Sequence, residues 1–539
     1  MIIASLQHIK HSFGEGPILN DISTEIHDGD CVGLIGANGS GKSTLMRMLT
    51  QEIYPDEGRV SWKKGSRIGY LRQIPAEAYE EHVRSILYQP FSRLMDIAEH
   101  LRLLETKMTE GIATKKEFEQ YGEDLEAFAR HGGYEMDAQI EDVTNGLGIN
   151  EWLDASWHSL SGGEKTKVGL ALILLKDPDL FLLDEPTNHL DIGAVEWLSQ
   201  YLQQFKGAVV VISHDRYFLD DVVTNIIEIE NGDLHAYETN YSDYLTEREN
   251  RLLREFKTYE DQQKKIKKMK ETIKRLKIWA NQANPPNDGL HRRAKSMEKA
   301  LNRMEMVKAP AKNKSFSVDL KRADRSGNDV VMLEAVHKAF DDHSLLTNVN
   351  MHIRFQGRAA IIGNNGTGKT TLLKMMLGDI KADKGEVKLG SQVRVGYLSQ
   401  HVFVGDENST VIDAFRSRVN VAEADARHIL AQFLFYGNHV FKKVAMLSGG
   451  ERVRLRLAQL TNEQVNTLVL DEPTNHLDIA SREVIEETIN DFSGTVIAIT
   501  HDRYFLNQFS QLYWIDDQTV YYYEGNYDWA KKKHERRHL

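Results

Sequence analysis

Two stretches of the chain place glycines, a lysine and a hydroxyl at the spacing that cradles a phosphate chain. "GANGSGKS" runs from Gly36 to Ser43 and "GNNGTGKT" from Gly363 to Thr370, and both fit G-x-x-x-x-G-K-[ST]. Each follows an apolar, strand-like run and precedes a helix-like one, "STLMRMLT" and "TTLLKMML", which is the context the pattern requires. Backbone N–H groups of Gly36, Asn38, Gly39 and Gly41, and of Gly363, Asn365, Gly366 and Gly368, are expected to wrap the phosphates at the positive end of the following helix. Lys42 and Lys369 should reach the β- and γ-phosphates. Ser43 and Thr370 should ligate Mg²⁺, with Thr44 and Thr371 beside them in the nucleotide site.

Two acidic pairs can complete this chemistry. Asp184 and Asp471 end apolar runs, where a carboxylate can hold Mg²⁺ through water, and Glu185 and Glu472 follow directly. Neighbouring strand residues point to opposite faces, but at a strand end the chain can turn both toward the phosphate. The glutamate is then the group that polarises the attacking water. Gln73 and Gln400 can contact Mg²⁺ and that water through a side-chain amide. His214 and His501 each open "HDRYF" after an apolar run and can sense the γ-phosphate. Phe13 and Phe340 each sit 23 residues before their glycine-rich loop, where a flat ring can stack on adenine.

The elements that position these residues occur twice. "LQHIKHSF" matches "LEAVHKAF", and "GYLRQ" matches "GYLSQ", at the same offset of 327 residues as the phosphate loops. "LSGGE" (Leu160, Leu447), "DEPTNHLDI" and "HDRYFL" match at an offset of 287, so the first copy carries 40 additional residues between "GYLRQ" and "LSGGE". Runs such as "CVGLIG", "LFLLDEP" and "AVVVIS" suit a mostly parallel, buried sheet, so each half reads as α/β.

The remaining segments are helical and charged. From Glu247 to Lys314 there are 20 Lys and Arg against 9 Asp and Glu, a net of +11 in a chain whose total is −12, which leaves −23 elsewhere. A basic segment on an acidic body can bind a polyanion locally. Phe256, Tyr259, Ile266, Met269, Ile273 and Leu276, then Leu290, Ala294, Met297, Leu301 and Met304, mark two helices able to pair as a hairpin. "NQANPPNDG" (281–289) breaks them, because Pro285 and Pro286 cannot continue a helix. A solvated spacer is the plainer reading of such a charge run, but its net charge favours RNA contact.

The insertion, about 89–133, predicts two more helices. One runs through Leu94, Ile97, Leu101 and Leu104, "TEGIAT" turns the chain, and the second ends at Gly132 and Gly133. It is read as a projecting arm, the alternative being a lid packed on its own domain. The terminal "KKKHERRHL" is expected to fray. Cys31, the single cysteine, reads as a buried strand thiol. No stretch approaches the roughly 20 apolar residues of a membrane helix, and the start lacks the regions of a signal peptide. A cytoplasmic location is expected.

The order of phosphate loop, Gln, "LSGGE", "DEPTNHLD" and His resembles that of ABC ATPase nucleotide-binding domains. Two such domains on one chain, a charged linker and no membrane segment resemble the ABC-F family. The resemblance implies an α/β fold of two tandem ABC-type P-loop ATPase domains (1–245 and 326–539) joined by an α-helical hairpin linker (246–325), with a helical arm in the first. It implies ATP hydrolysis with ATP and Mg²⁺. It also implies a monomer whose domains pair head to tail, so that each "LSGGE" faces the other domain's phosphate loop. Ser448, Gly449 and Gly450 would then serve the ATP at Lys42, and Ser161, Gly162 and Gly163 the ATP at Lys369.

Family members are cytosolic and act on ribosomes near the exit site, with the hairpin projecting toward the P-site tRNA and the peptidyl-transferase region. On that basis Lys277, Trp279, Arg292, Arg293 and Lys295 are the candidates for contact with rRNA or tRNA. Within the family a translation factor is the favoured reading and an antibiotic-resistance ribosome protection protein the alternative, since short tips and intact arms suit the first. The ATPase subunit of a transporter, or a DNA-repair ATPase, is the reading from a different class.

Overall fold

The computed structural model describes residues 1–13, 16–72, 82–282, 288–304, 325–340, 343–399, 402, 405–474 and 477–538. The chain forms two compact units, Met1–Glu238 with Phe316–Leu539, and Thr239–Ser315.

The first unit contains the duplicated α/β domain. Its first half has a six-stranded sheet in the order Ile68–Leu71, Leu180–Asp184, Ala208–Ile212, Cys31–Gly36, Asn225–Glu230 and Asp233–Tyr237. Five of these strands are parallel, and the last pairs antiparallel at one edge. The second half repeats the order with Val395–Leu398, Thr467–Asp471, Thr495–Ile499, Arg358–Gly363, Gln511–Asp516 and Thr519–Glu524. Leu180–Asp184 and Ala208–Ile212 are buried at every residue, as continuous apolar runs in a sheet covered on both faces must be. The β-branched "AVVVI" and "TVIAI" suit that setting, and each fully buried Val or Leu contributes about 2 kcal/mol. A three-stranded antiparallel sheet flanks each half, built on Ile2–Ser12 in one and Asp329–Phe340 in the other. Cys31 is buried, and burial pushes its thiol up to about 12.

The insertion forms helices Ser92–Thr109 and Lys115–Arg130. Leu94, Leu101 and Leu104 are buried, and His100–Asp124 and Lys107–Glu117, each 2.6 Å, tie the two helices together. Thr114 and Glu117 cap the second helix reciprocally, and Gly132 follows its end in a left-handed conformation. The second helix has no fully buried residue.

The expected fraying of the C-terminus is corrected. Tyr527–His538 is a helix. His534 stacks on Trp514 at 4.3 Å, meets the Tyr523 hydroxyl at 2.8 Å, and lies 3.2 Å from Asp516.

The second unit consists of helices Tyr241–Gln282 and Asp288–Asn302, which pack on one another. Ile266, Ile273, Leu276, Ala280 and Ala294 are buried, and Lys277 pairs with Glu298 at 2.6 Å. Phe256, expected on the seam, is 45% exposed. The tip residues 283–287, with Pro285 and Pro286, lie outside the described residues.

Candidate functional site

Both phosphate loops are built alike. Gly41 (φ +101°) and Gly368 (φ +94°) cap the helices that start at Lys42 and Lys369. A β-carbon at Gly41 would come within 2.7 Å of Ile18, and one at Gly368 within 2.9 Å of Leu345, so both conformation and space require glycine. Lys42 Nζ donates to the carbonyls of Gly36 (2.8 Å) and Ala37 (3.0 Å). Lys369 Nζ donates to those of Gly363 (2.8 Å) and Asn364 (2.7 Å). Burial lowers both lysines, Lys369 to about 8, with the Glu472 carboxylate opposing it there.

The chain turns sharply at both acidic pairs. Glu185 (φ +54°) and Glu472 (φ +51°) are left-handed, a costly conformation for a residue with a side chain. Each is held there by its own N–H, which donates to the carbonyl of Ile212 (2.8 Å) or Ile499 (2.9 Å). The Ser43 hydroxyl favours the ionised form of Asp184, and the Thr370 hydroxyl that of Asp471, each against burial. A hydroxyl beside a carboxylate is a hard-oxygen donor set, and it fits Mg²⁺ carried by a nucleotide. Burial pushes Glu185 up to about 8, opposed first by Arg482 of the second half. His214 Nε2 lies 3.3 Å from Glu185 Oε1, and His501 Nε2 lies 4.0 Å from Glu472 Oε1. Burial pushes both histidines down to about 3, leaving them neutral and able to accept or donate at either nitrogen.

Phe13 (51%) and Phe340 (48%) are exposed, so neither ring is core. Gln73 and Gln400 lie outside the described residues.

"LSGGE" is the start of a helix in both halves. Ser161 Oγ accepts from the Glu164 N–H, and Glu164 accepts from the Ser161 N–H (2.6 Å). Ser448 and Glu451 do the same, the latter at 2.8 Å. This capping box holds the turn without using the serine's own proton. The S-x-x-E spacing announces it, and the glutamate's part in it is absent from the sequence-based assignments.

A cavity of about 410 Å³ brings the halves together: Ser161, Gly163, Glu164 and Lys167 line it with Asn365, Gly366, Glu472 and His501. Asn365 Nδ2 also donates across the halves to the His189 carbonyl, at 3.1 Å. The signature of the first half thus shares a cavity with the phosphate loop of the second. A second cavity of about 350 Å³ is lined by Asn38, Gly39, Gly41, Lys42, Ser43, Thr44, Asp184, Glu185 and His214. Among the described residues, Ser448, Gly449 and Gly450 do not line it.

The arginines and tyrosines of "HDRYF" also cross between the halves, which sequence reasoning missed. Arg216 reaches Glu486 (3.2 Å) and Glu483 (3.8 Å), and Arg503 reaches Glu196 (3.5 Å). Arg216 lies over Tyr504 at 4.5 Å and Arg503 over Tyr217 at 5.8 Å. Recurrence of "RY" after both histidines was the available signal.

Comparison with known proteins decides the family. A family model described as ABC transporter matches residues 19–188 and 346–475, and a second of the same description matches 227–318. ABC transporter F family member 2 of Arabidopsis thaliana is 35% identical, over 98% of this chain and 78% of its own length. The chain belongs to the ABC-F family. The energy-dependent translational throttle protein EttA of Haemophilus influenzae is 34% identical, covering 96% of this chain and 93% of that protein. The putative ATP-binding protein YdiF of Bacillus subtilis is 35% identical, covering 99% and 83%. The archaeal ribosome recycling factor aABCE1, solved with the ribosomal stalk protein aP1, shares the fold at a TM-score of 0.61 and 19% identity, over 94% of this chain and 87% of that one. This ABC-F protein is an ATP hydrolase with two tandem ABC domains. Among the described residues, no helix is long and apolar enough to cross a membrane.

Proposed function

We propose that this ABC-F ATPase is a cytoplasmic translation factor that closes on two ATP molecules, binds the ribosome near its exit site, and leaves after hydrolysis. The shared cavity carries the reading: Ser161 and Gly163 stand with Asn365 and Gly366, so a nucleotide there touches both halves. ATP binding then becomes domain closure, and loss of the γ-phosphate removes the bridge. Lys42 and Lys369 hold the β- and γ-phosphates, and Phe13 and Phe340 stack on adenine. Ser43 with Asp184, and Thr370 with Asp471, would hold Mg²⁺, which supplies charge neutralisation on the phosphates; Gln73 and Gln400 are proposed to assist. Glu185 and Glu472 polarise the attacking water, and His214 and His501 orient it against the γ-phosphate. Ser448, Gly449 and Gly450 are proposed to complete the first site as Ser161, Gly162 and Gly163 complete the second.

The basic hairpin would contact large-subunit rRNA and the P-site tRNA. Lys277, Trp279, Arg292, Arg293 and Lys295 are all exposed, as such contact needs, and binding through them would weaken with salt. The relative named as a translational throttle, 34% identical, favours a translation factor over antibiotic resistance.

The test is co-sedimentation of the Glu185→Gln, Glu472→Gln double variant with ribosomes. With ATP it should pellet with them, and in ATP-free buffer it should not. Sedimentation free of ribosomes in ATP would end the reading. Unchanged drug susceptibility of a deletion strain would separate a factor from a resistance protein.

A further inference from the structure

Both halves hold an exposed phenylalanine in a matched setting that phosphate chemistry does not use. Phe13 follows strand Ile2–Ser12, and Phe340 ends strand Asp329–Phe340. The chain comes back beside each, with Ser12 paired to Pro17 and Phe340 to His343. The returning strand then reaches the phosphate loop, since Ile18 and Leu345 are the side chains that crowd Gly41 and Gly368. Both rings therefore stand at the phosphate-loop end of their hairpins.

Residues two apart on a strand share a face, which puts His11 beside Phe13 and Lys338 beside Phe340. The His11 ring meets the Phe13 ring edge to face, with centroids 4.7 Å apart and planes at 88°. The Lys338 ammonium lies 5.1 Å from the centre of the Phe340 ring. An aspartate holds each of these side chains, and the two aspartates stand at the same 327-residue offset. Lys338 Nζ donates to Asp383 Oδ1 at 2.7 Å, and His11 Nδ1 lies 3.4 Å from Asp56 Oδ1. The aspartates also grip the strand ends: Asp383 accepts from the Ala339 N–H at 2.7 Å, and Asp56 from the Ser12 N–H at 2.8 Å. Their own N–H groups donate to the carbonyls of His337 and Lys10, both at 2.9 Å.

None of His11, Lys338, Asp56 and Asp383 lines either cavity that holds a phosphate loop. An ion pair with one exposed member contributes little by itself. What the halves share is the ring contact, because the residue changes from His to Lys and the contact does not. His11 and Lys338 are mostly buried, whereas the rings they touch are open. An open ring with no partner would have to be ordered by its ligand, which weakens binding; a partner already in place removes that loss.

We propose that His11 and Lys338 are positioning residues for the nucleobase. With Asp56 and Asp383 they hold the rings of Phe13 and Phe340 ready for a purine, and so set how strongly each site prefers ATP to a nucleotide with a smaller base. This rests on the assignment of Phe13 and Phe340 as the base-stacking residues.

The test measures ATP and CTP hydrolysis by the full chain, one site at a time. The two nucleotides share ribose and phosphates and differ in the ring that stacks. Glu185→Gln leaves the second site to turn over, and Glu472→Gln the first. If Phe340→Ala leaves KM for ATP unchanged when only the second site turns over, the stacking assignment fails, which is a different result from failure of this proposal. Where Phe340→Ala raises that KM, Lys338→Met should raise KM for ATP about fivefold and KM for CTP less than about twofold, with kcat for both within about twofold. Lys338→Arg can keep the ion pair and the ring contact, and should restore KM for ATP. His11→Ala, with only the first site turning over, should lower the preference for ATP in the same direction. Equal rises of KM for both nucleotides, a loss carried by kcat, an arginine variant as impaired as the methionine one, or an unchanged preference in either background would each overturn the proposal. Should Lys338→Met fail to fold, Asp383→Asn decides. It keeps an acceptor for the Ala339 N–H, removes the charge partner of Lys338, and should lower the preference for ATP over CTP. An unchanged preference would overturn the proposal.

Discussion

The two halves can be compared residue for residue, and they agree where phosphate is handled and differ where they meet. Loop glycines, lysines, strand-end carboxylates and left-handed glutamates recur with matching bonds. At the contact, Arg216 reaches Glu486 and Glu483, whereas Arg503 reaches Glu196. Ser199 stands where the second half has Glu486 and Val195 where it has Arg482; within the second half itself, Lys442 stands where the first has Ala155. Phosphate geometry is the same for both copies, so the residues that meet it are held constant. An interface between fused copies is free of the self-complementarity that a two-fold dimer imposes, so each side can specialise.

The largest break in this comparison should come from the lysines. Lys42→Ala and Lys369→Ala should each reduce phosphate release at the affected site by on the order of 100-fold. If either single variant leaves the total rate almost unchanged, that site contributes little and the halves are further apart than their bonds suggest. Next come the interface arginines. Arg216→Ala strands the buried Glu486 and should cost about 3 kcal/mol, against about 1 for Arg503→Ala, whose partner Glu196 also holds Lys531 at 2.6 Å. Melting temperatures of the two variants check the order.

Glu486 offers a pH test that Ser199 cannot. Burial raises its carboxyl to about 7 from an ordinary 4.5, with Arg216 opposing. A raised acid binds its proton more tightly when folded. Its stability is therefore full below 4.5 and lost as pH rises through about 7. Glu486→Gln should flatten the melting temperature over that window and gain stability relative to the parent at pH 8, by up to about 2 kcal/mol. A parallel shift at every pH would show that the carboxyl does not titrate there. The smallest effect belongs to Lys442, which pairs with Glu451 at 3.2 Å but is partly exposed. Lys442→Ala should cost less than about 1 kcal/mol, narrowing the difference between the two capping boxes, and a larger drop in melting temperature would mean the pair steadies the signature turn.

Much of the site was legible in order and spacing. The phosphate loops declare themselves through glycine, lysine and hydroxyl within eight residues, and both glutamates stand at strand ends where a turn was anticipated. S-x-x-E announced the capping boxes, although only its serine and glycines drew attention. "RYF" after each histidine was visible as a repeat, but its arginines and tyrosines look like ordinary helix surface until a second surface faces them. The terminal helix was misread because seven charged or histidine residues in "KKKHERRHL" obscure the one, His534, that stacks on Trp514.

The sequence by itself determined the duplicated α/β architecture, the phosphate chemistry and the basic hairpin, because each rests on neighbours along the chain: loop conformation, strand burial and helix capping are local. Only the tertiary structure decided which residues join the halves and that they do so unequally. Arg216 and Glu486 are 270 positions apart, and no local rule relates them. Their pairing depends on how two folded surfaces dock, where burial makes every charge seek a partner.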